Sequence, residues 1–169
     1  MTSRTNDQPA NLDEATKCVV SDPEQSLAIC ERFLSQHPDD PRGLFCRFQA
    51  WEELGEFENA LTDINRVVEI DPNWMAYFAR GAFFHNVGHY LRAVDDLTRA
   101  RSLDVEGSAI SGISSYRADS LARLGRLDEA LADCALLPDS HWMPGFNGLP
   151  KGNKQEFIAE IKHRAVMAR

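Results

Sequence analysis

The chain has 169 residues, 43% hydrophobic and 26% charged, which suits one globular domain or a short repeat array and excludes disorder of the whole chain. Its net charge of −8 disfavours nonspecific binding to nucleic acid or to an anionic membrane, since both would repel it. The polar stretch Met1–Gln8 has no secretory apolar core, and no run approaches the ~20 apolar residues of a membrane span, so a cytoplasmic location is expected.

Residues 1–6 are expected to be flexible. A weakly periodic helix over Leu12–Val20 precedes a better one that opens at Pro23 and reaches Phe33 and Leu34, with Pro38 as its stop. Asp40-Pro41 reads as an N-cap followed by proline in the first turn. From there Leu44, Phe45, Phe48, Trp51 and Leu54 recur at helical spacing as far as Gly55. A second helix carries Phe57, Ala60, Leu61, Ile64, Val67, Val68 and Ile70, and Asp71-Pro72 ends it. Asn73 is the next N-cap. Helices of about Trp74–Val87 and Tyr90–Leu103 follow, then the turn Glu106-Gly107-Ser108. Two more helices, one ending at Leu124 and one running from Leu127 to Leu137, complete the series before Pro138.

These helices repeat one pattern. LGEFENAL, VGHYLRAV and LGRLDEAL place Gly55, Gly88 and Gly125 at spacings of 33 and 37 residues, and Phe57, Tyr90 and Leu127 stand two positions after the glycines. Ser26, Ala60, Ala93 and Ala130 share a small-residue column, and Cys30, Ile64, Leu97 and Cys134 share another. Repetition at this period marks stacked helical hairpins. The residues at these columns resemble the tetratricopeptide repeat (TPR) family, strongly in the second and third repeats and more loosely in the first. The fold class expected is all-α: a TPR helical-hairpin solenoid of about four repeats (7–40, 41–73, 74–106 and 111–138) with a C-terminal capping helix over 153–169. Phe48 departs from the pattern, since a small residue is expected there; Gly81 and Ala118 fit it.

A second regularity comes from the residues themselves. Arg47, Arg80 and Arg117 share one column of the first helix of each hairpin, and Asp63, Asp96 and Asp133 share one column of the second. That predicts a ladder of interhelical ion pairs. Trp51, Phe57, Phe83, Phe84 and Tyr90 are expected in the core. The four cysteines, Cys18, Cys30, Cys46 and Cys134, match no zinc or redox spacing and read as small buried hydrophobes. The segment 139–152 is rich in proline and glycine yet carries Trp142, Met143, Phe146 and Leu149, so it is expected to pack on the array, fill its groove or meet a second copy. Asn153 with Glu156 forms a capping-box pattern ahead of Phe157, Ile158, Ile161 and Ala165.

No pattern for nucleophilic catalysis is present. Gly148-Leu-Pro-Lys-Gly152-Asn-Lys154 fails the spacing of a phosphate loop. His85 and His89 lie four apart, but Gly88 intervenes and no third ligand stands near. Neither a metal, a cofactor nor a catalytic residue is therefore nominated, and the chain reads as a non-enzyme.

The resemblance implies that the first helix of each hairpin lines a concave groove. Carried over column by column, the groove residues are Phe45, Gln49, Glu52 and Glu53 in the second repeat. The third gives Phe78, His85 and Asn86, with Met75 and Ala82 beside them, and the fourth gives Tyr116, Asp119 and Arg123, with Ser115 and Ala122. The basic and amide cluster with which one TPR branch grips chaperone C-termini is absent, since Phe45, Gln49, Ala79, Gly112 and Tyr116 occupy its columns. The expected function is a non-catalytic protein–protein interaction module. Its partner would be a protein or peptide with basic groups for Glu52, Glu53 and Asp119 and apolar groups for Phe45 and Phe78, and not nucleic acid or membrane. The alternatives are a structural self-assembly module, forming a homo-oligomer, and a small secretion chaperone of TPR type.

Overall fold

The computed structural model describes residues 11–145 and 148–168; the expectations for residues 1–6, the start of the first repeat and Phe146 lie outside them. Two compact units meet at Pro72/Asn73. The first holds α1 (Leu12–Cys18), α2 (Pro23–Leu34), α3 (Pro41–Glu53) and α4 (Phe57–Ile70). The second holds α5 (Trp74–Asn86), α6 (Tyr90–Leu103), α7 (Ile110–Arg123), α8 (Leu127–Ala135), β1 (Trp142–Pro144), β2 (Lys151–Asn153) and α9 (Lys154–Met167).

The helix ends follow from local chemistry. Side chains of Asp22, Asp40 and Asn73 accept backbone N–H bonds at the starts of α2, α3 and α5, satisfying donors that a helix start leaves unpaired. The three hairpin turns are built alike. Gly55, Gly88 and Gly125 take φ of 74°, 83° and 73°, a left-handed conformation that glycine adopts at little cost. The next residue then reaches back across the helix end: Glu56 N–H donates to Trp51 O, His89 to Phe84 O and Arg126 to Leu121 O, at 2.9, 2.7 and 2.9 Å. One turn geometry is thus written three times by one sequence pattern.

Packing within each unit depends on small residues. Ser26, Ala60, Ala93 and Ala130 are all wholly buried where helices approach. Gly81 lies so close to Leu97 that a Cβ there would meet its side chain at 2.8 Å. The ion-pair ladder is present. Arg47 grips Asp63 through two bonds of 2.7 Å, and Arg80 grips Asp96 at 2.7 and 2.9 Å. Asp133 accepts from Arg117 and also from Arg101, at 2.6 Å each. The aspartates are buried and their arginines half-buried or better, so each pair depends on its bidentate or doubled geometry to offset lost hydration.

Phe57 departs from the core expectation. It is 51% exposed at the first position of α4. Trp51 and Tyr90 are half-buried, and Phe83 and Phe84 are buried. The tail is more ordered than a loop. β1 and β2 pair antiparallel, with Met143 opposite Gly152. Asn153 then starts α9 with a reciprocal box: its side chain accepts from Glu156 N–H at 3.1 Å, and the Glu156 carboxylate accepts from Asn153 N–H at 2.8 Å. Phe157, Ile161 and Ala165 of α9 join Ala118, Leu121 and Ala122 of α7 and Ala130 and Cys134 of α8 in one buried cluster. Gln155, Glu156, Ala159, Lys162 and His163 turn outward.

Candidate protein-interaction surface

On α3, Phe45, Gln49 and Glu52 are half-buried and Glu53 is exposed. Burial raises the Glu52 carboxyl to about 7, helped by the neighbouring Glu53 charge. Among the described residues no basic side chain forms an ion pair with either acid. α3 therefore offers a partner two carboxylates beside an aromatic ring.

On α5, Met75 is 50% exposed and Phe78 is half-buried, its ring edge-on to Tyr116 with centroids 5.8 Å apart. Gly112 on α7 leaves room for that ring: a Cβ there would meet it at 3.3 Å. Ala82 is half-buried and Asn86 exposed. This face is apolar with a polar end.

The remaining expected groove residues correct the sequence reading. His85, Tyr116 and Asp119 are buried, Asp119 completely, so none of them presents a side chain to a partner. His85 and Tyr116 pack their rings edge-on, with centroids 5.2 Å apart, and for Asp119 the reason is the tail. Arg164 of α9 donates to Asp119 Oδ1 at 2.6 Å, and Arg123 donates to Oδ2 at 2.7 Å. Both guanidinium groups also bond the Gly148 carbonyl, at 2.9 and 3.3 Å. Nearby, His141 Nε2 lies 3.3 Å from Ser115 Oγ, and burial holds His141 below its ordinary pKa, with Lys154 adding to the effect. The segment thus covers the α7 face, with Met143, Leu149 and Pro150 buried and Trp142 exposed. Arg123 also bonds Tyr90 Oη at 3.1 Å and lies over that ring, 5.2 Å from its centroid. It is therefore a structural tie as well as a surface group.

Asp119 consequently cannot meet a lysine or arginine from a partner; two internal arginines already neutralise it. Arg164 and Gly148, which close this network, were not identified from the sequence. The Glu160–Arg164 spacing is visible there, but it explains only the local pair at 2.8 Å.

His85, Asp119 and Ser120 bring together the residue types of a hydrolytic triad, with His85 Nδ1 3.0 Å from Ser120 Oγ and Nε2 3.5 Å from Asp119 Oδ2. The chemistry does not follow. Ser120 is wholly buried, and its hydroxyl donates to the Tyr116 carbonyl at 2.9 Å, leaving it an acceptor for His85 rather than a nucleophile. His89 caps α6, exposed and apart from His85. No group of three or more side chains suited to a metal ion is present among the described residues, and no described helix is long and apolar enough to cross a membrane.

Paired helices, identical glycine turns and a shared small-residue column define an all-α tetratricopeptide-repeat fold. Among solved structures, the chain is similar to MamA from Desulfovibrio magneticus RS-1, with a TM-score of 0.63, 19% identity, and coverage of 92% of this chain and 89% of that one. It is also similar to YrrB, described as a TPR protein with an unusual peptide-binding site, with a TM-score of 0.65, 17% identity and coverage of 93% and 80%. MamA AMB-1 gives 0.59, 21%, 75% and 76%. At such identities the likeness is one of fold. No protein-family model matches the chain, and no curated sequence matches it significantly.

Proposed function

We propose that this chain is a non-catalytic, cytoplasmic interaction module that holds a peptide or helix of another protein on the open parts of its first-helix faces, without a cofactor. The observation that carries the reading is the α5 face, where Met75 stands half in water beside Phe78. Aromatic and methionine side chains so placed are common anchors of protein interfaces. In the first unit, α3 has a similar character by itself: Phe45 with Glu52 and Glu53 favours apolar and basic groups in a partner. The peptide-binding site described for YrrB, which shares the fold, agrees with this use of it.

The test is affinity capture from native lysate with the wild type, Phe78→Ala and Glu52→Lys/Glu53→Lys, each first shown to keep its helical circular dichroism. A protein held by the wild type and lost by the variants supports the proposal. Equal capture by all three moves the site elsewhere.

Self-assembly is the second reading, and Trp142, 58% exposed on β1, favours it. The outer side of α9, polar apart from Ala159 and, near its end, Val166 and Met167, offers little apolar surface for stacking. Light scattering over a concentration series decides: a dimer abolished by Trp142→Ser supports assembly through β1, and a monomer throughout excludes it.

A further inference from the structure

The first unit carries a chemical feature that peptide binding does not use. Cys30 of α2 and Cys46 of α3 are both buried and share one small cluster with Ala15 and Ile29. That cluster brings the two thiols close enough for each to perturb the other's proton affinity. Two hydroxyls adjoin them. Thr16 Oγ1 lies 3.8 Å from Cys46 Sγ. Ser26 has a fully buried hydroxyl without a conventional hydrogen-bond partner, and it lies against both sulfurs.

An orphaned buried hydroxyl is costly unless some state of the protein gives it an acceptor. A thiolate at Cys46 is such an acceptor, and it would receive hydrogen bonds from Cys30 and Ser26; the Thr16 hydroxyl already donates to the Leu12 carbonyl at 2.9 Å. Those donors, Cys30 foremost, pull the Cys46 thiol below its ordinary pKa against the effect of burial, while Cys30 is pushed up. Cys46, with the Thr16 hydroxyl alongside its sulfur, is the attacking thiol of the pair, and Cys30 is the resolving one. What separates Cys46 from solvent includes Thr16 of α1, a seven-residue helix, and Thr16 itself is exposed.

We propose that Cys30 and Cys46 form an oxidisable dithiol, which a hydroperoxide converts to an intramolecular disulfide tying α2 to α3. In the first step the Cys46 thiolate attacks one peroxide oxygen. An S–O bond forms, the O–O bond breaks, and the departing hydroxide takes a proton and leaves as water. In the second step Cys30 sulfur attacks the Cys46 sulfenic acid. The S–S bond forms, the S–O bond breaks, and the hydroxide leaves with the Cys30 proton as a second water. Hydrogen peroxide is reduced by the two electrons that the thiols lose. The inference is independent of the partner-binding reading, because Cys30 and Cys46 face the interior.

The experiment treats the reduced full chain with hydrogen peroxide, blocks remaining thiols with iodoacetamide in denaturant, and maps peptides after cleavage by trypsin and Glu-C, since cutting at Glu24 separates Cys18 from Cys30. The expected result is a linked Cys30–Cys46 pair in monomeric protein, with Cys18 and Cys134 alkylated. In Cys30→Ser the reaction should stop at a Cys46 sulfenic acid that dimedone captures; Cys30→Ala takes its place if the serine variant loses its helical signal. The proposal is overturned if both cysteines remain alkylated at a dose that oxidises them in the urea-unfolded chain. Pairing of Cys46 with Cys18, or no dimedone adduct at Cys46, overturns it equally.

Discussion

Glu52 on α3 and Asp119 on α7 were both expected to present a carboxylate to a partner, yet their surroundings are opposite. Asp119 has no exposed surface and binds two arginines. Glu52 keeps part of its surface and pairs with no cation among the described residues, so its own desolvation governs its proton. The contrast teaches that a place on the first helix of a hairpin does not decide what covers a side chain. In the second unit, the segment after α8 supplies the cover. The charge open to a partner is therefore on α3.

The largest effect should come from breaking the covered site. Asp119→Ala leaves Arg123 and Arg164 without their shared carboxylate and should cost about 3–5 kcal/mol, read from urea unfolding. Loss below ~1 kcal/mol would mean that the network contributes little and that the two acids are less different than they look.

Next is a comparison that should come out equal. Ala60 and Ala93, one in each unit, are wholly buried, so Ala60→Leu and Ala93→Leu should each cost on the order of 1–3 kcal/mol by overpacking. A marked inequality in their melting temperatures would show that one hairpin yields more easily than the other.

Glu52→Gln sharpens the contrast through pH. The folded-state pKa of Glu52 is raised from 4.5 to about 7, so the native state holds the proton more firmly than the unfolded chain does. Its stabilising contribution is then fully present below pH ~4.5 and is lost as pH rises through about 7. The variant should flatten the fall in stability over that window, by about 1–2 kcal/mol once partial exposure is allowed for. Parallel stability–pH curves for wild type and variant would remove Glu52 as the cause. The smallest effect belongs to Gln49→Ala, at the same column as Asp119 but half-buried on α3. It should change stability by only about 0.5 kcal/mol in the same urea measurement.

What the sequence disclosed was local and periodic. The caps at Asp40, Asn73 and Asn153 and the turns at Gly55, Gly88 and Gly125 depend on residues within a few positions of each other. The Arg–Asp ladder was legible because the same pair recurs in register, 16 residues apart each time. The burial of Asp119 was not legible, because it depends on Arg164, which belongs to no repeat; that of His85 and Tyr116 comes from ring packing among Phe78, Tyr90 and each other, which spacing does not display. Helical spacing likewise placed Phe57 on an apolar stripe but could not show that the stripe runs past the packed interior at its first residue. The meeting of Cys30 with Cys46 was hidden for a similar reason: their spacing fits no motif, and only the packing of α2 on α3 brings them together.

α9 has a consequence for how a chain of this kind can change length. One side of it closes the cluster formed by α7 and α8, and the other is set with lysine, glutamate, glutamine and histidine. A hairpin laid on that outer side would meet mainly charged and amide groups, with apolar contact confined to Ala159 and to Val166 and Met167 at the end of the helix. A designed hairpin would therefore find more apolar support spliced in ahead of α9 than laid on the outer side of that helix.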